Sequence, residues 1–471
     1  MLDLLRARFE GKKILILGFG KEGQSSYRVL RELLPCQQIT IADRNPEVAR
    51  DPAAHRDPNI VFRCGDHYLT GLCHFEVILK SPGIRLHSLS DLPDRECITS
   101  QTDLFLQRFG NLTTGITGTK GKSTTTALLA HILQTGGADA FPVGNIGTPA
   151  FHYLERIGPA TRVVYELSSH QLEYIHCSPH IALLLNLFQE HLDAYPSFRE
   201  YRLTKMNIAR YQHAGDALIF HADDPLIREH LSEMKQRQLL VPFSLTTAFT
   251  TGAFRDGNEL VFRLPGKKEI RLRNIHNRYL RGEHSLRNIL AAASASLLLG
   301  IDREALYEGI ASYKGLAHRL EYLGEYHGIQ FYNDSIATVP EACIAAIEAI
   351  PGVDTLILGG FDRGIDYTPL ASFLSGSGIR NFILVGAAGK RIGTELRKIS
   401  KKGCRLFFVN RFDDFLPLVL THTRKGKACL LSPAAASYDE FRSFEERGIR
   451  FRELVTENGK KDERQRTKDY G

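Results

Sequence analysis

One short segment combines glycines, a lysine and hydroxyl residues in an order suited to phosphate binding. It lies between a strand-like run and an apolar-periodic helical run and comprises Gly118, Thr119, Lys120, Gly121, Lys122, Ser123 and Thr124. The N–H groups of such a loop can surround phosphates, while Lys122 neutralises their charge and the Ser123 hydroxyl ligates Mg²⁺. The strict GxxxxGK[ST] pattern is not met, because Ile116 stands at its first glycine. We therefore predict a shortened phosphate loop, with an incidental glycine turn as the alternative.

Three further polar residues stand where they could serve this loop. Glu166 ends the run VVYELSS, His191 follows another apolar run, and Lys205 lies in a helical run. Ligands collect at the carboxyl ends of strands in α/β sheets, and Mg²⁺ prefers a few protein oxygens together with substrate phosphates. Glu166 is therefore predicted to share a metal ion with Ser123. Taken singly, each residue has a plainer interpretation, as a surface charge or a satisfied polar group.

A second glycine cluster lies near the N-terminus. Gly18, Gly20 and Gly23 follow the run KKILILGFG and precede a helical pattern from about Gln24 to Leu34, and Asp43 ends the next strand-like run. Glycine lets a phosphate approach a helix N-terminus, so the spacing matches a dinucleotide-binding turn. A tight strand-to-helix turn without a ligand is the alternative.

The elements that must position these residues alternate between strands and helices in three successive segments. The alternation predicts an α/β fold with a Rossmann-like domain at 1–108, a parallel-sheet domain with the phosphate loop at 109–314 and a third α/β domain at 315–456. Short alternating strands at 243–277 predict a small antiparallel piece attached to the central domain. Residues 457–471 are rich in charge, which is typical of a disordered tail.

Composition excludes several classes of protein. The eight cysteines of the 471 residues have no metal-ligand spacing, which indicates reduced thiols rather than disulfides or zinc. The charged N-terminus and the shortness of the apolar runs argue against a signal peptide and a membrane span. The net charge of +7 comes from dispersed basic residues, so no nucleic-acid surface is predicted. We expect a cytoplasmic protein that binds anionic small molecules.

The order of the motifs resembles the Mur ligase family along most of the chain. GTKGKST, GNIG, ELSSHQLE, EHLD, YRLTK, HRLE, NDS, GG and SPAAAS follow one another as in that family. The resemblance implies a uridine-nucleotide domain, a central P-loop ATPase and a Rossmann-like C-terminal domain that closes over ATP and glutamate. It also implies that ATP phosphorylates the terminal carboxylate of UDP-N-acetylmuramoyl-L-alanine and that the glutamate amine attacks the acyl phosphate. We further expect a monomer.

The resemblance also implies roles for single residues around ATP and its metal ions. Lys122, Ser123 and Glu166 match the phosphate and first Mg²⁺ site. Lys205 matches a lysine carbamylated by CO₂, which would ligate a second Mg²⁺ together with His191. Asn288 matches an adenine-side asparagine, Arg319 a phosphate-facing arginine and Asp334 a ribose or hinge-side carboxylate. Ser285 stands where related chains often carry another asparagine.

Substrate residues follow from the same resemblance. The precursor is expected against Gly18, Lys21, Glu22, Asp43, Arg44, Ser81, Pro82, Gly83, Asn145 and His191. Thr338, Ser437 and Phe444 match positions that hold the two carboxylates of D-glutamate. Ile336 replaces the usual lysine of NDSKAT, whereas Arg363 could pair bidentately with a carboxylate. Ligases that add L-glutamate resemble this chain through NDSIAT, and the SPAAASYDEFRSFEERG stretch favours D-glutamate, so we predict the latter with the former as the alternative.

Three other functions compete with this prediction. A nicotinamide-dependent oxidoreductase would use the Gly18 turn but leave the phosphate loop, Glu166 and Lys205 unexplained. A precursor-binding protein without catalysis is suggested by Ile336 and opposed by the retained phosphate loop. A folylpolyglutamate-type synthetase shares that loop, but its family lacks the first domain.

Overall fold

The structure is a computed structural model. It describes every residue except 52–53, 87–88, 90–91, 190–194, 236, 276, 278, 281, 400–402 and 470–471, and it leaves out the side chains of 399 and 460–469. Contacts between residues divide the chain into two compact units, Met1–Tyr313 and Lys314–Gly471. Three sheets lie within these units, of five, nine and six strands.

The first sheet is parallel and has the order β3-β2-β1-β4-β5. Its strands are β1 (Ile14–Leu17), β2 (Ile39–Asp43), β3 (Ile60–Cys64), β4 (Val77–Lys80) and β5 (Ile98–Thr99), with helices α1 (Leu2–Phe9), α2 (Lys21–Leu33) and α3 (Gln101–Phe109). Ile14 and Ile16 join one apolar cluster and Leu15 and Leu17 another. Both faces of β1 are therefore covered, as its continuous apolar sequence predicts. Helix α2 begins earlier than predicted.

The second sheet has the order β14-β13-β12-β11-β10-β9-β6-β8-β7. Its strands are β6 (Thr113–Thr117), β7 (Ala140–Gly144), β8 (Arg162–Glu166), β9 (Ile181–Leu184), β10 (Ala217–His221), β11 (Leu239–Ser244), β12 (Gly252–Asp256), β13 (Glu259–Arg263) and β14 (Ile270–Leu272). Helices in this region are α4 (Lys122–Thr135), α5 (Ser169–Leu172), α6 (Phe198–Arg210), α7 (Pro225–Glu233), α8 (Gly282–Leu298) and α9 (Arg303–Ser312). The antiparallel pairs β12–β13 and β13–β14 match the expected antiparallel piece, which extends the main sheet through β11.

The third sheet has the order β15-β16-β20-β17-β18-β19. Its strands are β15 (Glu321–Tyr326), β16 (Ile329–Asn333), β17 (Val353–Gly359), β18 (Asn381–Val385), β19 (Arg405–Val409) and β20 (Ala428–Leu431). Its helices are α10 (Pro340–Ala349), α11 (Thr368–Gly376), α12 (Gly386–Ile399), α13 (Phe415–His422) and α14 (Phe444–Asp469). The antiparallel edge strand β15 was not predicted, and the remaining pairs are parallel. The α/β fold class is confirmed.

The C-terminal tail begins as a continuation of α14. Asn458 lies in the described part of that helix, and its Oδ1 forms a hydrogen bond of 3.1 Å with Nε2 of His327, between β15 and β16. The side chains from 460 onward lie outside the described residues, so disorder there stays a prediction, as does the division into three domains.

Two expectations from composition concern cysteines and membranes. The eight cysteines are free thiols, and Cys343 and Cys429 are buried. Among the helices that the structure describes, none is both long and apolar enough to cross a membrane.

Candidate nucleotide, metal and glutamate sites

The predicted phosphate loop follows β6, which pairs with β8 on one side and β9 on the other. Helix α4 starts at Lys122 directly after the loop, and its N-cap Gly121 has a φ of 86°. Glycine adopts this left-handed conformation without strain. A Cβ at this position would also lie 2.7 Å from Asn288 Oδ1. The loop therefore requires glycine at 121, and Asn288 of α8 lies beside it.

Hydrogen bonds fix the shape of this loop. Lys122 Nζ donates to the carbonyls of Gly118 and Thr119, each at 3.0 Å. Asn186 Oδ1 accepts from the Lys120 N–H at 2.8 Å, and Asn186 Nδ2 donates to the Lys120 carbonyl at 3.0 Å. Asn186 was missed in the sequence, although its place directly after the buried strand run of β9 was a usable signal. A bound phosphate would offer Lys122 a charged acceptor in place of neutral carbonyls.

Glu166 forms the centre of a small polar cluster at the end of β8. It is 0% exposed, and its Oε1 accepts from Ser123 Oγ at 3.1 Å and from Asn145 Nδ2 at 2.8 Å. Its Oε2 is buried without a hydrogen-bond partner among the residues that the structure describes. An unpaired buried carboxylate oxygen is costly, and a cation would satisfy it. The Ser123 hydroxyl and the Glu166 carboxylate therefore fit Mg²⁺.

Within the described ranges, no three His, Cys, Asp or Glu side chains are grouped so as to hold a metal ion. In proteins Mg²⁺ usually keeps several waters and is bound through one or two carboxylates together with substrate phosphates. His191, the predicted second-metal residue, lies outside the described residues.

Lys205 projects from α6 to the phosphate loop. It is 2% exposed, its Nζ donates to the Gly118 carbonyl at 2.9 Å, and the same atom lies 4.9 Å from the centroid of the Tyr201 ring. The Tyr201 hydroxyl in turn lies 3.2 Å from Thr119 Oγ1. The structure thus brings Lys205 to the loop that holds Lys122.

A cavity of ≈ 460 Å³ adjoins the loop. The His221 and Phe243 rings stack in its wall with centroids 5.2 Å apart and planes inclined by 15°. Burial lowers the pKa of His221, so the imidazole is neutral at neutral pH. The remaining lining residues are Lys120, Leu185, Asn186, Leu187, Phe188, Asp224, Pro225, Leu226, His284, Arg287 and Asn288. A concave site with apolar walls and a few polar groups suits a nucleobase. Of the residues that line it, only Lys120 and Asn288 were predicted from the sequence.

Three residues predicted for the precursor meet at the first glycine turn. Gly18 has a φ of 88°, and its carbonyl accepts from Ser81 Oγ at 2.8 Å. Asp43 Oδ2 accepts from the Phe19 N–H at 2.7 Å. A Cβ on Gly18 would lie 2.8 Å from Ser81 Cβ, so the close approach also requires glycine. Lys21, Arg44 and Gly83 are exposed near this turn.

Glu22 points instead toward the central sheet. Its Oε1 accepts from Gln171 Nε2 of α5 at 2.8 Å, and burial raises the pKa of Glu22 to about 7. Nearby, Lys80 Nζ and Glu173 Oε2 form a buried ion pair of 3.1 Å. Lys80 and Glu173 were missed because each belongs to a different segment of the sequence.

Asp334 and Arg319 lie in the second unit. Asp334 Oδ2 accepts from Ser432 Oγ at 2.8 Å and Oδ1 from the Leu320 N–H at 3.2 Å. Burial raises the pKa of Asp334 to about 7. Arg319 is exposed, and its positive charge lowers the pKa of Asp334, which opposes the effect of burial.

The predicted glutamate residues lie on loops of the second unit that touch one another. Ser335 Oγ donates to the Phe444 carbonyl at 2.8 Å, and the Phe361 N–H donates to the Ala436 carbonyl at 2.9 Å. The Arg363 guanidinium lies 5.3 Å from the centroid of the Tyr438 ring. Ser437 is buried, whereas Thr338 and Ile336 are half-buried.

A protein-family model and individual relatives both match this chain. Residues 116–296 match the Mur ligase middle domain. The chain is 31% identical over 453 residues to UDP-N-acetylmuramoylalanine--D-glutamate ligase of Thermoanaerobacter sp. (strain X514), covering 95% of this chain and 99% of that protein. It is 33% identical over 447 residues to the protein of the same name from Geobacillus kaustophilus (strain HTA426), covering 93% and 96%.

A solved structure agrees with the fold. UDP-N-acetylmuramate-alanine ligase from Thermotoga maritima superposes with a TM-score of 0.54 at 19% identity, covering 95% of this chain and 99% of that one. At this identity the likeness concerns the fold alone. The identity and coverage of the two sequence relatives show that the chain belongs to the Mur ligase family.

Proposed function

We propose that this protein is an ATP-dependent amide-bond-forming ligase that joins D-glutamate to UDP-N-acetylmuramoyl-L-alanine in peptidoglycan precursor synthesis. The observation that carries the proposal is the buried Glu166 carboxylate, which meets the Ser123 hydroxyl beside the phosphate loop. The substrate assignment is supported by relatives named UDP-N-acetylmuramoylalanine--D-glutamate ligase, which align with almost the whole chain. The protein is proposed to act in the cytoplasm as a monomer on these small molecules.

The chemistry requires an activated carboxylate. A carboxylate oxygen of the precursor attacks the γ-phosphorus of ATP, the bond to the β–γ bridging oxygen breaks, and ADP leaves. The glutamate amine then attacks the acyl carbon, the amine loses a proton, and inorganic phosphate leaves with its oxygen from the precursor. Lys122 neutralises charge on the transferring phosphoryl group, where positioning and electrostatics supply most of the catalysis.

Metal ions complete the ATP site in this proposal. Ser123 and Glu166 would hold one Mg²⁺, which neutralises and orients phosphate oxygens when bound. His191 and carbamylated Lys205 would hold the second. The Lys205 ammonium first loses one proton, and the neutral amine then adds to CO₂ and loses a second proton, so that a cation becomes an anionic carbamate ligand. The proposal draws support from the position of Lys205 Nζ, which is buried against the Gly118 carbonyl.

The remaining substrate contacts are proposed as in the family pattern. Asn288 contacts adenine, Arg319 faces phosphate, and Asp334 serves the ribose or hinge side. Asn145 contacts the precursor near its reacting carboxylate, a role that its hydrogen bond to Glu166 supports. The glycine turn with Gly18, Asp43 and Ser81 holds the uridine diphosphate in a first domain, followed by an ATPase domain and a glutamate domain.

One observation favours L-glutamate as a second candidate. Ile336 places an aliphatic side chain where a lysine is usual, so the glutamate region loses one cation. We propose that Arg363 binds a glutamate carboxylate in place of this lysine. Its guanidinium is held over the Tyr438 ring. Stacked arginine keeps its planar donors available for bidentate pairing.

Phosphate release by the purified protein tests the proposal. The assay contains ATP, Mg²⁺ and UDP-N-acetylmuramoyl-L-alanine with D-glutamate, L-glutamate or no amino acid, and Lys122→Ala controls for contaminating ATPases. Release that depends on D-glutamate supports the proposal. Release with L-glutamate alone moves the protein to the second candidate, and release with neither contradicts both.

A further inference from the structure

A buried arginine connects three separate loops of the second unit. Arg447, on the first turn of α14, is 2% exposed. Its Nε donates to Ser335 Oγ at 3.0 Å, and its Nη2 donates to the Ser335 carbonyl at 2.9 Å. Nη2 also donates to the Ala435 carbonyl at 3.1 Å, and Nη1 to the carbonyls of Ala436 at 3.2 Å and Gly359 at 3.5 Å.

Each of these loops carries a residue assigned to glutamate. Thr338 follows Ser335 closely in the loop after β16, and Ser437 directly follows Ala436 in the loop after β20. Gly359 is the last residue of β17, and Arg363 lies in the loop that follows it. We infer that Arg447 is a positioning residue that sets the spacing of the three glutamate-binding loops, and hence the affinity for glutamate. This inference rests on the proposed function and names a residue that the family resemblance did not supply.

The chemistry of the guanidinium explains why arginine occupies this position. Its donors lie in one plane at fixed angles, so a single side chain can hold acceptors on several backbones at set distances. A lysine ammonium has fewer donors, at one point on a flexible stem. Substitution by lysine therefore keeps the charge but loses the geometry.

The loops leave little room around Arg447. A Cβ on Gly360 would lie 2.2 Å from the Ala436 carbonyl oxygen and 3.1 Å from Arg447 Nη1. The Phe361 N–H, next in the chain, donates to that same Ala436 carbonyl. The β17 and β20 loops are thus in direct backbone contact at the arginine, so a shift of one displaces the other.

Charge supports a role beyond simple stabilisation. The five acceptors are carbonyls and a hydroxyl, and Asp439 is the acidic residue whose charge acts on the guanidinium. Burial lowers the pKa of Arg447 to about 10. A buried charge held mainly by neutral acceptors is a poor source of stability, and in some proteins such groups are retained because they fix a specific geometry.

Helix α14 provides a matched control. Arg450 lies one turn after Arg447, is partly exposed, and pairs with Asp413 at 2.6 Å. Its carboxylate partner stands outside the three loops. Arg450→Gln therefore removes an arginine and its ion pairs with Asp413 and Glu453 without touching the Arg447 contacts.

Full-length wild type, Arg447→Lys, Ser335→Ala and Arg450→Gln are compared by steady-state kinetics and by hydrogen–deuterium exchange. For Arg447→Lys we expect the KM for glutamate to rise by about tenfold to a hundredfold, with the KM for ATP and the precursor unchanged. Ser335→Ala removes one acceptor of Arg447 and should raise the KM for glutamate less. Arg450→Gln should have the same KM values as wild type. Exchange should increase in all three loops of Arg447→Lys and stay unchanged in β6 and β8 of the first unit.

Two results would overturn the inference. One is an unchanged KM for glutamate in Arg447→Lys, and the other is an equal loss of affinity for all three substrates, which indicates general destabilisation. The exchange data separate this failure from that of the proposed function. If wild type uses neither enantiomer of glutamate, the function is wrong, while coupled exchange in the three loops still tests the positioning role and unchanged loops refute it.

Discussion

The phosphate loop of the first unit and the glutamate loops of the second are held by different means. The phosphate loop is one contiguous segment, fixed by its own backbone, by Lys122 and by Asn186. The glutamate loops come from three distant parts of the second unit and meet at the Arg447 side chain. In the first region function depends on local charge, and in the second on long-range spacing. Removal of a charge in the first region should therefore act on turnover, and loss of spacing in the second should act on substrate affinity.

Loss of the Glu166 charge should have the largest effect. In Glu166→Gln the amide keeps the size of the side chain but removes the anionic oxygens that fit Mg²⁺ beside Ser123. We expect phosphate release to fall by about a thousandfold, since transition-state charge would lose its main stabiliser. ATP binding measured without Mg²⁺ should be unchanged, and a Mg²⁺-dependent turnover equal to wild type would contradict the metal assignment.

Removal of the Lys205 amine should have a comparable or slightly smaller effect. Lys205→Ala should lose ligase activity and keep nucleotide binding, because Lys122 and the loop remain in place. Added formate or acetate, which can stand in for the carbamate, should restore part of the activity. A fully active Lys205→Ala enzyme would refute the carbamate proposal.

A methyl group at Gly121 should act through the shape of the loop. Gly121→Ala combines a φ of 86° with a close approach of the new Cβ to Asn288 Oδ1 at 2.7 Å. A left-handed non-glycine residue costs about 1 to 2 kcal/mol, so ATP affinity should fall by roughly tenfold. Isothermal titration with ATP measures this, with Gly137→Ala as control, because Gly137 also has a positive φ but open space around it. Equal ATP affinities in the two variants would contradict the contact with Asn288.

The titration of Glu22 should change the stability of the fold with pH, and this effect should be the smallest of the four. Its pKa is raised from 4.5 in the unfolded chain to about 7 in the fold, so the folded protein binds the extra proton. The resulting stability is fully present below pH 4.5 and is lost as pH rises through 7. Glu22→Gln should therefore gain stability over wild type between pH 6 and pH 8, by a few degrees in Tm. Exposed Glu47→Gln serves as control, and parallel pH profiles for wild type and Glu22→Gln would refute the raised pKa.

Sequence predicted the parts of the molecule that are contiguous. β1 and β6 are continuous apolar runs followed by glycine turns, so both the parallel sheets and the phosphate loop could be placed. β5 has two residues, β3 and β15 are only partly buried, and Gly324 lies at a register shift in β15, so none of the three carries a strong strand pattern. Helix α2 starts at Lys21 because Gly20 is extended and caps it.

Residues that act through contacts between distant parts of the chain could not be predicted from contiguous sequence patterns. Arg447 belongs to a charged helical run, and only the fold brings its guanidinium to Ser335 and Ala436. His221 and Phe243 end different strands and meet only because β10 and β11 pair. Glu166 was predicted from its place at the end of a strand and Asn145 from the family pattern alone, and only the fold shows the hydrogen bond between them.

Oxygen transfer from the precursor tests the acyl-phosphate mechanism most directly. UDP-N-acetylmuramoyl-L-alanine labelled with ¹⁸O in its alanine carboxylate is incubated with the protein, ATP, Mg²⁺ and D-glutamate, and the released phosphate is analysed by mass spectrometry. If ATP phosphorylates the carboxylate, each phosphate carries one precursor oxygen. Phosphate without the label, released alongside amide product, would contradict the mechanism.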